Sequence, residues 1–198
     1  MQSSDIVFCN LAPNPGLRVG PEIAFTHEAM REALDFLLAR PAEQGGLLFG
    51  PFNKAGVDHF EADPVGSGKA SRTRYSPDND SLESARQKQL DEGREIKGII
   101  HTHPGEGATY ASSEAGYGRG DLGYARKFFD LNESAFFCLF PIITLSRGAF
   151  TVSPFVFMRG HENGSPELLW SPLRVTDPGG FGLWDYNPEW LRNIQPDQ

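Results

Sequence analysis

The stretch that decides the fold is EIKGIIHTHP, residues 95–104. Its first half predicts a short buried strand, which runs directly into a His-Thr-His-Pro sequence. Two histidines at positions i and i+2 of an extended segment point to the same side, so His101 and His103 can both reach one metal ion. Pro104 keeps His103 extended, because the residue before a proline avoids the helical region. Two histidines at this spacing are a short pattern, and the alternatives are a pair of exposed loop histidines or one core histidine with its hydrogen bonds satisfied.

The residues before this stretch predict further helices and strands. A helix begins near Thr26, a good N-cap, and apolar residues recur at helical spacing until Arg40-Pro41 ends it. The other elements predicted on this side are a glycine-edged strand at 45–50 (GGLLFG), a partner strand at 57–60, a loop at 63–80 and a mostly solvated helix at 81–94.

The residues after it predict a loop, one more helix and two strands. These are a glycine- and serine-rich loop at 105–120, a helix that opens at Asp121, and strands at 135–144 and 149–159 joined by a turn at 146–148. Helices interleaved with short strands indicate an α/β or α+β sheet with flanking helices.

Charge and composition exclude several classes of partner. The chain has 18 Lys and Arg residues against 26 Asp and Glu residues, which gives a net charge of −8. An acidic chain without a basic run is a poor ligand for nucleic acid or for an anionic membrane surface. The longest apolar run, residues 135–144, is far too short to cross a bilayer. We therefore expect neither a nucleic-acid partner nor a membrane partner.

The cysteine content and the first residues favour the cytoplasm. The two cysteines, Cys9 and Cys138, form no CxxC motif, and Cys138 lies in an apolar run that predicts a buried thiol. This usage fits a reducing compartment. The first residues lack the basic start and the continuous apolar segment of a signal peptide.

A catalytic zinc ion requires a third protein ligand besides two histidines, and it keeps a fourth position open. The acidic candidates downstream are Glu106, Glu114 and Asp121. Asp121 stands where the loop gives way to a helix, so rigid structure can fix its position. An aspartate at a helix start is also a common cap, and that interpretation stays open.

Hydrolysis at such a centre also needs a base that takes a proton from water. Glu43 precedes the strand predicted at 45–50. If that strand lies beside residues 95–100, the carboxylate of Glu43 faces the histidines. The alternative is an exposed loop glutamate.

Taken together, these motifs resemble the JAMM family of zinc metalloproteases, also called MPN-plus or JAB. The family pattern is a glutamate followed by a Gly-Leu-Leu-Gly-like strand, then HxHP, then Ser-x-x-Asp. Here the same order is given by Glu43, GGLLFG, GIIHTHPGEG, serines, and an aspartate that opens a helix. The resemblance covers the layout of residues 22–158. It implies a single MPN/JAB-like α/β domain, with a mixed β-sheet flanked by helices in a cytidine-deaminase-like architecture. Residues 1–21 would be an N-terminal arm, and 159–198 an aromatic-rich extension that packs on the core.

The resemblance also implies roles for individual residues. His101, His103 and an aspartate would bind Zn²⁺, and Glu43 would be the general base and later the proton donor to the leaving amine. A serine would stabilise the oxyanion of the tetrahedral intermediate.

The serine-to-aspartate spacing departs from the family pattern, because Ala115 and Gly116 follow Ser112 and Ser113 at the third position. An insertion of residues 116–120 would restore Asp121 as the third ligand and favour Ser113 over Ser112. Glu114 is the alternative ligand.

Members of this family cleave after the C-terminal glycine of ubiquitin or a ubiquitin-like protein. The resemblance therefore implies a protease that deconjugates or processes such a protein, with E1- and E2-like enzymes as partners in a bacterial conjugation or anti-phage system. One alternative is a metallopeptidase that trims sulfur-carrier proteins. The others are a non-catalytic MPN scaffold, and a binding protein in which the motif match is accidental.

Overall fold

The computed structural model of the protein describes most of the chain, with gaps. The described residues are 9–10, 17–40, 42–70, 75–104, 120–133, 135–146, 149–159 and 166–176. The strands are β1 (Cys9–Asn10), β2 (Arg18–Val19), β3 (Ile23–Thr26), β4 (Gly45–Pro51), β5 (Gly56–Val57), β6 (His59–Ala62), β7 (Arg94–Pro104), β8 (Phe137–Ser146), β9 (Ala149–Arg159), β10 (Pro166–Trp170) and β11 (Leu173–Thr176). The helices are α1 (His27–Leu37), α2 (Pro64–Gly68), α3 (Asn79–Asp91) and α4 (Gly120–Leu131).

The strands form a mixed sheet and a small second sheet. The main sheet has the order β2-β10-β9-β8-β7-β4-β6, with β1 beside β9. Strand β7 lies inside this sheet, antiparallel to β4 on one side and parallel to β8 on the other. The second sheet pairs β11, β3 and β5 in parallel. With helices on both faces of the main sheet, the predicted α/β class and mixed sheet are confirmed.

Helix α1 covers one face of the main sheet. Its N-cap is Thr26, as predicted, whose Oγ1 accepts a hydrogen bond from the Ala29 N–H at 3.2 Å. The helix ends at Leu37, a little before the predicted end. Its buried side chains pack against residues of three sheet strands, among them Leu48, Ile100 and Leu139.

Helices α3 and α4 cover the opposite face. Leu82 of α3 and Phe129 of α4 belong to a second apolar cluster together with Leu47, Phe49 and Ile99. Leu47 and Leu48 thus point to opposite faces, as neighbouring residues of a strand do. Within the described part of the chain, no helix is long and apolar enough to span a membrane.

Strand β7 contains an irregularity before its histidines. Leu48 pairs with Gly98 but Phe49 pairs with Ile96, so Lys97 is one extra residue, as in a β-bulge. The Lys97 side chain is buried, and its Nζ donates to the Lys54 carbonyl oxygen at 2.8 Å and also pairs with the Glu95 carboxylate. In a regular strand, Ile96 and Ile99 would face opposite sides, because two residues lie between them. The extra residue places both on the side of α3 and α4.

Three elements differ from the sequence-based expectations. The predicted strand at 57–60 is split, because Val57 pairs with β3 while residues from His59 onward pair with β4. The predicted loop at 63–80 contains the short helix α2, which Asp63 caps, and its last two residues belong to α3. Arg94 lies in β7 and not in the preceding helix.

The predicted C-terminal extension supplies two strands. In β10, Trp170 is buried and its ring lies edge-on to Phe155, with centroids 5.4 Å apart. Residues 177–198, with the remaining tail aromatics, lie outside the described residues, as do residues 1–8. The predicted boundaries at residues 21 and 158 stay predictions. Cys138 of β8 is a buried free thiol, as its sequence surroundings predicted.

We expect Gly98→Ala to destabilise the protein strongly. A Cβ at this position would lie 1.9 Å from the Leu139 carbonyl oxygen, so β7 and β8 would have to separate. Because the contact is with backbone, the free energy of unfolding should fall by about 3 kcal/mol, measured by urea denaturation. Gly68→Ala is the matched control, since a Cβ there meets nothing within 4 Å. Equal stability of the two variants would contradict this close packing.

Candidate metal centre

Strand β7 brings His101 and His103 together on the face covered by α3 and α4. Their Nε2 atoms are 3.0 Å apart. His101 is only 4% exposed, and its ring lies 5.2 Å from that of Phe140. The two imidazoles share one side of an extended segment, as the sequence predicted.

The first turn of α4 adds a carboxylate to this pair. Asp121 Oδ1 lies 3.3 Å from His101 Nε2, and Oδ2 lies 3.4 Å from His103 Nε2. Gly120, the first residue of α4, has a φ of 63°, a backbone conformation that favours glycine. The helix therefore starts at a point from which its second residue, Asp121, reaches both histidines.

These three side chains fit a divalent metal ion. One ligand atom from each lies within 4.8 Å of the others. Zinc bonds of about 2.0–2.2 Å in a tetrahedron separate ligand atoms by roughly 3.3–3.6 Å, close to the distances above. Burial lowers the pKa of His101 below its usual value, although the Asp121 carboxylate opposes this effect. A neutral imidazole is the form that binds a metal.

The pairing of β4 with β7 brings Glu43 to the same site. Gly45 pairs with His101 in an antiparallel register, and continuing that register by two residues sets Glu43 opposite His103. The Thr102 N–H donates to the Gln44 carbonyl oxygen at 2.9 Å, so the pairing does continue beyond Gly45. Directly opposed residues point to the same face of a sheet.

The electrostatics of Glu43 reflect this position. Partial burial raises its pKa from 4.5 to about 7, and the Asp121 carboxylate adds to the rise. His103 and the backbone N–H of Tyr75, which donates a hydrogen bond to the carboxylate, both lower the pKa. A carboxyl group of this kind can take up and release a proton near neutral pH.

Two buried polar residues that the sequence analysis did not single out hold the Glu43 segment on β7. Thr102 Oγ1 accepts from the Gln44 N–H at 2.9 Å and donates to the Ala42 carbonyl oxygen at 3.3 Å. The Gln44 side-chain amide donates to the carbonyl oxygens of Phe36 and Leu37 at the end of α1. The sequence could have indicated Thr102, because a residue between two histidines of an extended segment faces the opposite side of the sheet. No feature of the sequence marks Gln44.

Several predicted site residues lie outside the described residues. They are Glu106, Ser112, Ser113, Glu114 and the segment 116–119. The oxyanion role of Ser113 and the alternative ligand Glu114 therefore stay predictions. The catalytic role of Glu43 and the ligand roles of His101, His103 and Asp121 also stay predictions. The structure does bring these four residues together, as described above.

Residues 26–114 match the family described as prokaryotic homologs of the JAB domain. This part of the chain is thus similar to the prokaryotic JAB family. The matched stretch includes Glu43, His101 and His103 and stops before Asp121.

A solved structure supports the same fold. The solution structure of protein DSY2949 from Desulfitobacterium hafniense resembles this chain with a TM-score of 0.53 and 19% sequence identity, over 78% of this chain and 93% of that one. At this identity the likeness concerns the fold alone. Comparison with functionally curated proteins gave no significant match.

Proposed function

We propose that the protein is a zinc-dependent metallopeptidase of the JAMM type. The observation that carries the proposal is the meeting of four groups from three separate segments. His101, His103 and Asp121 present ligand atoms within 4.8 Å of one another, and Glu43 lies beside them. A purely structural cluster does not need two imidazoles, a carboxylate at metal-ligand distances and a further acid next to them.

Each protein group has a task in peptide-bond hydrolysis. Zinc, when bound, supplies Lewis acidity, which polarises the scissile carbonyl group and makes water a better nucleophile. The Glu43 carboxylate accepts the proton of the attacking water and then delivers it to the leaving amine. The three ligands leave a fourth position open, as a catalytic site requires. No covalent intermediate with the protein is needed.

The substrate class follows from the family resemblance and is part of the proposal. We propose that the scissile bond follows the C-terminal glycine of a ubiquitin-like protein, as a peptide bond in a precursor or an isopeptide bond in a conjugate. E1- and E2-like enzymes that form such conjugates are then the expected functional partners.

The test combines metal analysis with a cleavage assay. The purified protein, loaded with zinc, is incubated with ubiquitin-like proteins fused through a C-terminal Gly-Gly to a reporter, and with matching isopeptide conjugates. We expect one equivalent of zinc and a product that ends in glycine, identified by mass spectrometry. Chelation should stop cleavage, and added zinc should restore it.

The alternatives give different results in the same assay. Cleavage only of substrates that carry a short extension after the diglycine would favour trimming of sulfur-carrier proteins. Stoichiometric zinc without cleavage of any substrate would favour a non-catalytic scaffold and contradict the proposal. Absence of zinc binding would make the motif match accidental.

A further inference from the structure

A single buried carboxyl group organises the segment between β6 and α3. Asp63 is fully buried, and its Oδ1 accepts a hydrogen bond from the Gly66 N–H at 2.8 Å. Its Oδ2 accepts from the Tyr75 hydroxyl at 2.8 Å and from the Asp78 N–H at 2.9 Å. The start of α2 and the residues that lead into α3 are therefore tied to one side chain.

The same residue is anchored to the strand that follows Glu43. The Asp63 N–H donates to the Gly45 carbonyl oxygen at 3.0 Å. The Gly45 N–H in turn donates to Ser67 Oγ at 3.2 Å, one turn further along. Asp63 thus has a fixed position relative to β4, and its carboxyl group is a rigid acceptor for the groups that donate hydrogen bonds to it.

Tyr75 connects this carboxyl group to the candidate metal centre. Its ring stacks on that of His101, with centroids 6.5 Å apart and planes 18° from parallel. A Cβ at Gly45 would lie 2.4 Å from the Tyr75 ring, so only glycine leaves room for the ring there. The Tyr75 backbone N–H donates to Glu43. One residue therefore contacts both a proposed ligand and the proposed base.

We infer that Asp63 is a positioning residue. Through its hydrogen bond to the Tyr75 hydroxyl, it fixes the Tyr75 backbone N–H that donates to Glu43 and the Tyr75 ring that stacks on His101. The activity part of this inference rests on the proposed function; the structural part does not. Burial, and after it the neighbouring Asp63, raise the pKa of Tyr75 well above its usual value, so the phenol keeps the proton that it donates. A hydrogen bond to a carboxylate is stronger than one between neutral groups.

Tyr75→Phe tests the inference without removing the helix cap that Asp63 provides. The variant keeps the ring but loses the hydroxyl, so the loop can shift and the Tyr75 N–H is freer to leave Glu43. We expect the amide of residue 75 to exchange about tenfold faster in zinc-free protein, measured by NMR. Under the cleavage assay we expect kcat to fall about tenfold, with KM and zinc content within about twofold of the wild type.

Tyr124→Phe is the matched control. Tyr124 of α4 is another half-buried phenol near Asp63, but the hydroxyl bonded to Asp63 belongs to Tyr75. Its loss should leave the exchange of the Tyr75 amide and kcat within about twofold of the wild type.

The two measurements separate failure of this inference from failure of the proposed function. Unchanged exchange of the amide at residue 75 in Tyr75→Phe overturns the positioning role whether or not the protein is active. Unchanged kcat in an active enzyme overturns it as well. If the wild type cleaves nothing, faster exchange in Tyr75→Phe alone still supports the link from Asp63 to Glu43, while the metallopeptidase function fails.

Discussion

Glu43→Gln is expected to lower kcat by about 10³-fold while the protein keeps its fold and its zinc, since general acid–base groups contribute roughly 10²–10⁴-fold. The amide of glutamine has nearly the shape of the carboxyl group and can still accept the hydrogen bond from the Tyr75 N–H. It cannot take a proton from water near neutral pH. Steady-state kinetics with a Gly-Gly fusion and metal analysis of the same sample measure the two expectations.

Glu61→Gln provides the matched control for this change. Glu61 of β6 is also half-buried and also lies beside a histidine, with Oε2 3.3 Å from His59 Nε2. It does not belong to the cluster of His101, His103 and Asp121. Its variant should retain wild-type kcat within about twofold. Activity of Glu43→Gln at the level of this control would remove Glu43 from the mechanism.

Removal of any one of the three proposed metal ligands is expected to abolish stoichiometric zinc binding. His101→Ala, His103→Ala and Asp121→Ala each leave two ligand side chains, and zinc in catalytic sites is held by three. Loss of an outer partner alone weakens metal binding by roughly 10–100-fold, so loss of a direct ligand should weaken it by more than about 100-fold. Competition titration with a chromophoric chelator gives the affinities.

His59→Ala serves as the control for the histidine variants, because His59 is half-buried in the same sheet but outside the candidate metal site. Circular dichroism checks that each variant folds. Asp121→Ala has a second use. If zinc affinity stays unchanged in that variant while stability falls, Asp121 is a helix-start residue only, and Glu114 becomes the ligand to test.

The sequence predicted the centre of the fold because its strongest signals are local. Thr26 and the apolar spacing after it define α1, and the apolar run before His101 defines β7. Spacing along an extended chain also predicted that His101 and His103 share a side. That Glu43 lies opposite His103 depends on the pairing of two strands more than 40 residues apart in sequence, which the sequence offered only as a condition.

Other features could not be predicted because distant contacts decide them. The sequence of residues 57–60 predicted one strand, but Val57 and Phe60 belong to different sheets. Asp63 looked like an ordinary loop acid; its role depends on Tyr75 and Asp78, which fold back on it. Such hydrogen bonds carry no sequence periodicity, so only coordinates reveal them.

The extra residue in β7 has a consequence for the chemistry of the whole strand. In a regular strand that set Ile96 against Phe49, residues 98, 100 and 102 would follow it onto the side of α4, and the imidazoles would turn toward α1. Lys97 breaks the two-residue alternation once, so the packed start of the strand and its histidine-bearing end share one side. Deleting Lys97 should therefore restore a regular alternation with Ile96 and the imidazoles still on that side, and cost the protein only the buried ammonium group and its hydrogen bond to the Lys54 carbonyl oxygen.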